Sequence, residues 1–98
     1  MQITKTVEND NLTLSLEGRL DTLTAPQLEA EVNGKLGGVK TLIFDFQNLA
    51  YVSSAGLRIL FMAQKIMNKQ GKMIVRNANA DIKDIFTVTG FSNILTLE

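Results

Sequence analysis

Ninety-eight residues suffice for one hydrophobic core and not for two, and a 45% hydrophobic share is that of an ordinary globular domain. Ten basic residues balance ten acidic ones, and no basic cluster interleaves with aromatics, so neither nucleic acid nor an anionic membrane surface is an expected partner. With no histidine and no cysteine, a Ser-His-Asp triad, a His-based zinc site, a thiolate site and a disulfide framework are all excluded within the chain.

The start of the sequence, Met1 to Glu8, contains no apolar stretch of the signal-peptide kind, and no run approaches the roughly 18 apolar residues of a spanning helix. A cytoplasmic location and a single domain over residues 1–98, without a linker, are therefore expected. Ile3, Lys5 and Val7 alternate poorly, whereas Leu12, Leu14 and Leu16 alternate cleanly with polar residues across Asn11–Glu17, as in a half-buried strand. Glu8-Asn9-Asp10-Asn11 between the two segments is turn chemistry, which predicts an N-terminal β-hairpin.

From Thr24 the period becomes helical. Leu28, Val32 and Leu36 share a face, Thr24 is the expected N-cap, Pro26 sits in the first turn and Gly37-Gly38 ends the element, giving a helix over about 25–36. The run Val39–Phe46 is almost wholly apolar and predicts a central strand buried on both faces. A second helix over about 54–69 carries Leu57, Leu60, Phe61, Gln64 and Met67 towards one face and is closed by Gly71 before a short strand, Lys72–Arg76. Asn79 is placed to cap a third helix over about 80–88 on the stripe Ile82, Ile85 and Phe86, and Ile94–Leu97 reads as a final edge strand. A hairpin followed by alternating helices and strands implies an α/β fold with a mixed sheet and parallel crossovers.

The junction from Asp45 to Arg58 is the most informative stretch, because an apolar strand runs into Ser53-Ser54-Ala55-Gly56 at the start of the second helix. The first N–H groups of a helix lack intrahelical partners and the dipole favours negative charge there, so a phosphate on or near Ser54 would be electrostatically welcome. Ser53 or Ser54 can equally be a plain N-cap, and an exposed capping hydroxyl can still accept a phosphate. Gly56 either lets a partner's backbone or a phosphate come close or serves internal packing. Asp45, a carboxylate within an apolar strand, is expected to hold the serine loop. No Gly-x-x-x-x-Gly-Lys-Ser/Thr loop and no Gly-x-Ser-x-Gly elbow exists, and the chain is read as a non-enzyme without catalytic, cofactor or metal residues.

Four segments, Glu17-Gly18-Arg19-Leu20-Asp21 with Thr24-Ala25, Thr41–Phe46, Val52-Ser53-Ser54-Ala55-Gly56-Leu57 and Ile85–Phe91, together resemble a STAS domain of the anti-sigma factor antagonist (anti-anti-sigma factor) family over most of the chain. The resemblance implies a mixed four- to five-stranded sheet with an N-terminal β-hairpin and three main helices packed on it. It also implies a bacterial phosphoprotein of transcription regulation and stress response. Such a protein binds an anti-sigma factor that is also a serine kinase, is switched off by phosphorylation at the place of Ser54, and is reset by a phosphatase. The family pattern has an acidic residue where Ser53 stands and a hydroxyl residue where Ala55 stands. Asp21 resembles the family's loop aspartate near the serine loop, implied to touch the kinase, while its local chemistry equally suits a cap or Asx turn. The expected partner-binding surface is Asp21, Thr22, Ser53, Ser54, Gly56, Leu57 and Arg58 with the outward face of the second helix, Leu57 being exposed. The alternative implied by the same resemblance is a non-phosphorylated STAS scaffold bound to a transporter ATPase or a signalling complex. Short edge strands leave self-association open.

Overall fold

The computed structural model describes residues Met1–Glu98. The expected hairpin is present: β1 (Gln2–Glu8) runs antiparallel to β2 (Asn11–Leu20), turning through Asn9 with φ 58°. Asparagine tolerates that left-handed conformation better than most side chains. α1 (Ala25–Val32) leads to β3 (Thr41–Val52), α2 (Ser54–Asn68) to β4 (Lys72–Arg76), and α3 (Ala80–Thr89) follows. The sheet order is β1-β2-β3-β4, with β2, β3 and β4 mutually parallel.

This order decides where the core lies. Successive parallel strands step across the sheet in one direction, so right-handed crossovers place α1 and α2 on the same face. Leu12, Leu14 and Leu16 of β2 and Leu42, Phe44 and Phe46 of β3 point into one cluster with Leu28, Val32, Leu60, Ala63, Met67, Ile82 and Phe86 from the three helices. The alternate residues Thr13, Ser15, Ile43 and Asp45 are only half-buried. The expectation that β3 is buried on both faces is thus corrected: helices cover one face, and polar residues of β1 and β2 line the other.

Other expectations differ too: the central strand expected over Val39–Phe46 runs over Thr41–Val52. α1 ends at Val32 rather than near Leu36, because Asn33 turns extended and Gly34 takes a left-handed φ of 75°; Leu36 is still buried, from the loop beyond. Thr24 precedes α1 without capping it through its side chain. The final strand is reduced to one bridge between Val75 and Leu97, since Gly90 ends α3 at φ 82° and Phe91–Asn93 wind a 3-10 turn. Other signals act as expected: Asn79 Oδ1 accepts from the Ile82 amide at 2.8 Å, and its side-chain amide donates to the Leu49 carbonyl at 3.2 Å, locking the start of α3 onto β3. No helix is long and apolar enough to cross a membrane.

Candidate partner-binding site

Parallel pairing of β2 with β3 brings Leu20 opposite Val52, so the segments that follow, Asp21–Thr24 and Ser53–Ser54, emerge side by side at the carboxyl ends of the strands. In α/β sheets with parallel strands that end is where loops are free to recognise other molecules. The Ser53 amide donates to the Leu20 carbonyl at 2.8 Å and ties the two loops together.

The serine pair divides its duties. Ser53, half-buried, is the N-cap: its backbone is extended and its Oγ accepts from the Gly56 amide at 3.4 Å. Ser54 is the first residue of α2, exposed, and takes no part in the cap. No acidic side chain occupies the first turn, so the positive end of the helix there is uncompensated. The loop opposite is held by a reciprocal turn. Asp21 Oδ1 accepts from the amides of Leu23 (3.0 Å) and Thr24 (3.2 Å), while the Thr24 hydroxyl accepts from the Asp21 amide (2.9 Å) and donates to the Arg19 carbonyl (2.8 Å). Asp21 therefore has the turn-forming role its local chemistry suggests, and its second carboxylate oxygen lies 3.7 Å from the Arg19 guanidinium.

The STAS domain profile matches residues 2–98. BtrV of Bordetella bronchiseptica, named as an anti-sigma factor antagonist, is 30% identical over 96 residues, spanning 96% of this chain and 83% of that protein. The chain belongs to the anti-sigma factor antagonist family of STAS domains. Its fold is also that of SpoIIAA, a 20% identical protein solved unphosphorylated (TM-score 0.79, covering 99% of this chain and 87% of that one) and, from Bacillus, phosphorylated (TM-score 0.77, covering 99% and 91%).

Within this STAS domain the expected contact residues do not all reach the surface. Thr22, Ser54 and Arg58 are exposed and Asp21 and Ser53 half-buried, but Gly56 is buried and Leu57 is only 5% exposed. The expected exposure of Leu57 is therefore corrected: it points from the first turn of α2 into the core. Gly56 is a packing glycine, since a Cβ there would lie 2.6 Å from Leu20 Cγ and 3.1 Å from Val52 Cγ1. Asp45 does not hold the serine loop; its Oδ1 accepts from the Gln47 amide (3.0 Å) and the Asn77 side chain (3.1 Å) and so joins β3 to the segment after β4.

Two residues of this STAS domain carry no signal in the sequence that marks them. Leu23 is 90% exposed at the tip of the Asp21 turn. Arg19 stacks over the Tyr51 ring at 4.5 Å while pairing with Asp21. The register places Arg19 beside Tyr51, a neighbourhood that follows from a strand pairing rather than from any local pattern.

Partial burial pushes the Asp21 carboxyl up, but hydrogen bonds from the Thr24 and Leu23 amides and the Thr24 hydroxyl, with the Arg19 charge, outweigh it and hold the group below its ordinary 3.8. A carboxyl lowered in the folded state contributes stability above its unfolded value and loses that contribution as pH falls through the folded one. The turn is thus expected to persist through the mildly acidic range and to loosen only below about pH 3.8. A carbon-detected NMR titration checks this; a midpoint at or above 3.8 for Asp21 would contradict the turn's hold on the carboxylate.

Proposed function

We propose that the protein works by partner switching. Unphosphorylated, it binds an anti-sigma factor that is also a serine kinase and so frees a sigma factor; phosphorylation of Ser54 by that kinase ends the complex, and a phosphatase restores it. The chain is a binding module in this scheme, working in the cytoplasm where sigma factors act, and ATP belongs to the kinase. The observation that carries the reading is the division between the two serines: with Ser53 committed to the cap, Ser54 presents a free, exposed hydroxyl at an uncompensated helix start, beside the ordered Asp21 turn. SpoIIAA, a protein of the same fold solved with and without phosphate, supports it.

The contact surface is Asp21, Thr22, Ser53, Ser54 and Arg58 with Leu23 and the outward face of α2. Gly56 and Leu57 act from beneath, by fixing the helix start against Leu20 and Val52. Leu23 supplies apolar area that a turn already holds in place, so little ordering cost attends its burial by a partner. Where the family pattern has an acidic residue before the phosphorylated serine, Ser53 supplies an uncharged cap.

The test is phosphate transfer. Incubation with ATP and lysate of the native host, followed by mass spectrometry, is expected to yield one phosphate, on Ser54, and none on a Ser54→Ala variant. Phosphate on another residue, or none under conditions in which the chain holds a transporter ATPase or other scaffold, would replace partner switching with the scaffold reading.

A further inference from the structure

The charge balance of the whole chain hides a strong asymmetry. Between Phe46 and Ala80 there is no aspartate or glutamate, yet the same stretch holds Arg58, Lys65, Lys69, Lys72 and Arg76. Of these only Arg76 makes an ion pair, with Glu98; Arg58, Lys65 and Lys69 make none within the chain. These cations share the solvent side of α2 with three apolar side chains. Arg58, Phe61, Met62, Lys65, Ile66 and Lys69 line one shallow groove of about 300 Å³. Their spacing, i, i+3, i+4, i+7, i+8 and i+11, is the stripe that one helix offers to another, and it extends for about 16 Å at the helical rise. Phe61, 41% exposed, is braced edge-on against Phe91 at 6.4 Å, with the Lys65 ammonium 5.5 Å from its ring.

We propose that this stripe is a docking surface for an acidic amphipathic helix of a protein partner, whose apolar side chains seat on Phe61, Met62 and Ile66 and whose carboxylates face Arg58, Lys65 and Lys69. Charge complementarity selects the occupant. A second copy of the chain meeting it through the same face would set cations against cations, and the α3 surface of a copy offers only Asp81 and Asp84 with Lys83 between them, a weaker complement than a helix face lined with carboxylates. A lipid surface fits less well, because Met62 and Ile66 are half-buried and Phe61 is braced, so the apolar groups line a groove instead of projecting as a wedge. The stripe shares Arg58 and the outward face of α2 with the contact surface proposed above and deepens that reading by naming the chemistry of its occupant, but it stands without any modification of Ser54.

The probe is a fluorescein-labelled synthetic helix of about 18 residues, long enough to hold helical structure, with a leucine stripe flanked by glutamates, compared with the same peptide carrying lysines. The exposed pair Lys65→Glu/Lys69→Glu is the variant, with Lys65→Gln/Lys69→Gln as a milder second one. The glutamate peptide is expected to bind the wild type with amide shifts confined to residues 58–69, to bind roughly tenfold or more tighter than the lysine peptide, and to lose at least about tenfold on charge reversal. It is also expected to weaken as salt screens the pairs. Equal binding of the two peptides, no binding of the glutamate peptide, or undiminished binding to the charge-reversed variant would overturn the proposal. So would retention on phosphatidylserine vesicles without peptide binding, or self-association that disappears in the variant. No kinase or ATP enters the assay, so its result leaves the Ser54 reading to be judged by its own test.

Discussion

Ser54→Asp is expected to weaken binding of the anti-sigma kinase by roughly a hundredfold while raising the protein's own thermal stability. The two effects have separate causes. Ser54 opens α2 in a first turn without acidic residues, so a carboxylate there meets the positive end of the helix and contributes about 0.3–1 kcal/mol. For a chain of this size that is an increase in Tm of about 2–6 °C. At the interface the same charge must be stripped of water beside Asp21, whose own carboxylate is ionised and committed to its turn, which costs about 3 kcal/mol, or roughly a hundredfold in affinity. Calorimetry with the purified kinase, paired with thermal unfolding, separates the terms. Wild-type affinity in Ser54→Asp would sink partner switching through this residue, and a fall in Tm would instead mean that the charge melts the helix start.

Gly71→Ala is expected to be the most destabilising conservative change in the chain. Gly71 closes α2, its amide donating to the Met67 carbonyl at 2.7 Å, and the next amide, Lys72, donates to the Lys40 carbonyl at 2.9 Å. The turn is thereby drawn so close to the start of β3 that a Cβ would fall on the Lys40 carbonyl, 2.7 Å from its carbon. A backbone obstacle cannot rotate away as a side chain can, so α2 and β4 must move relative to β3 or give up that hydrogen bond. The expected loss is about 3 kcal/mol, roughly 12–24 °C in Tm. Gly37→Ala is the control: a methyl group there would have nothing within 4 Å, and the φ of Gly37 is not left-handed. It should match or slightly exceed the wild type by restricting the unfolded chain. Urea unfolding of both variants checks the pair, and a Gly71→Ala loss below about 1 kcal/mol would refute the packing argument.

What can be read from the sequence is what local chemistry controls. The alternation of Leu12, Leu14 and Leu16, the cap at Asn79, the bounds of β4 and the start of α2 at Ser54 are set by neighbours along the chain, and the structure has them where expected. Most of the differences concern quantities set by topology. An apolar run such as Val39–Phe46 carries no record of whether helices cover one face or two, because that depends on the direction in which successive strands step. Leu57 falls at helical spacing with Leu60, Gln64 and Met67, and its burial follows that period and not the partner surface expected of it; Gly56 brings the same turn against Leu20 and Val52. Asp45 lies within reach of two loops in the sequence, and only the parallel register with β4, which ends at Arg76, decides that Asn77 is its partner. At the candidate site, Asp21 and Ser53 are legible as turn and cap chemistry, and Ser54 as the helix start that follows the cap. Their adjacency, with the stacking of Arg19 on Tyr51, requires the pairing of β2 with β3.

That dependence gives the site a place in the order of folding. The hairpin β1–β2 joins residues close in sequence, whereas Leu20 and Val52 are brought together only after a long crossover loop has closed, an entropic step of about 3 kcal/mol that precedes any contact it enables. Nascent or partly unfolded chains therefore lack the surface altogether, even when they contain the serine and its neighbours. The Ser53 amide, bonded across that gap to Leu20, becomes a reporter: its hydrogen-exchange protection should track global unfolding and not local fraying, so a kinase that recognises this surface would discriminate folded molecules from unfinished ones.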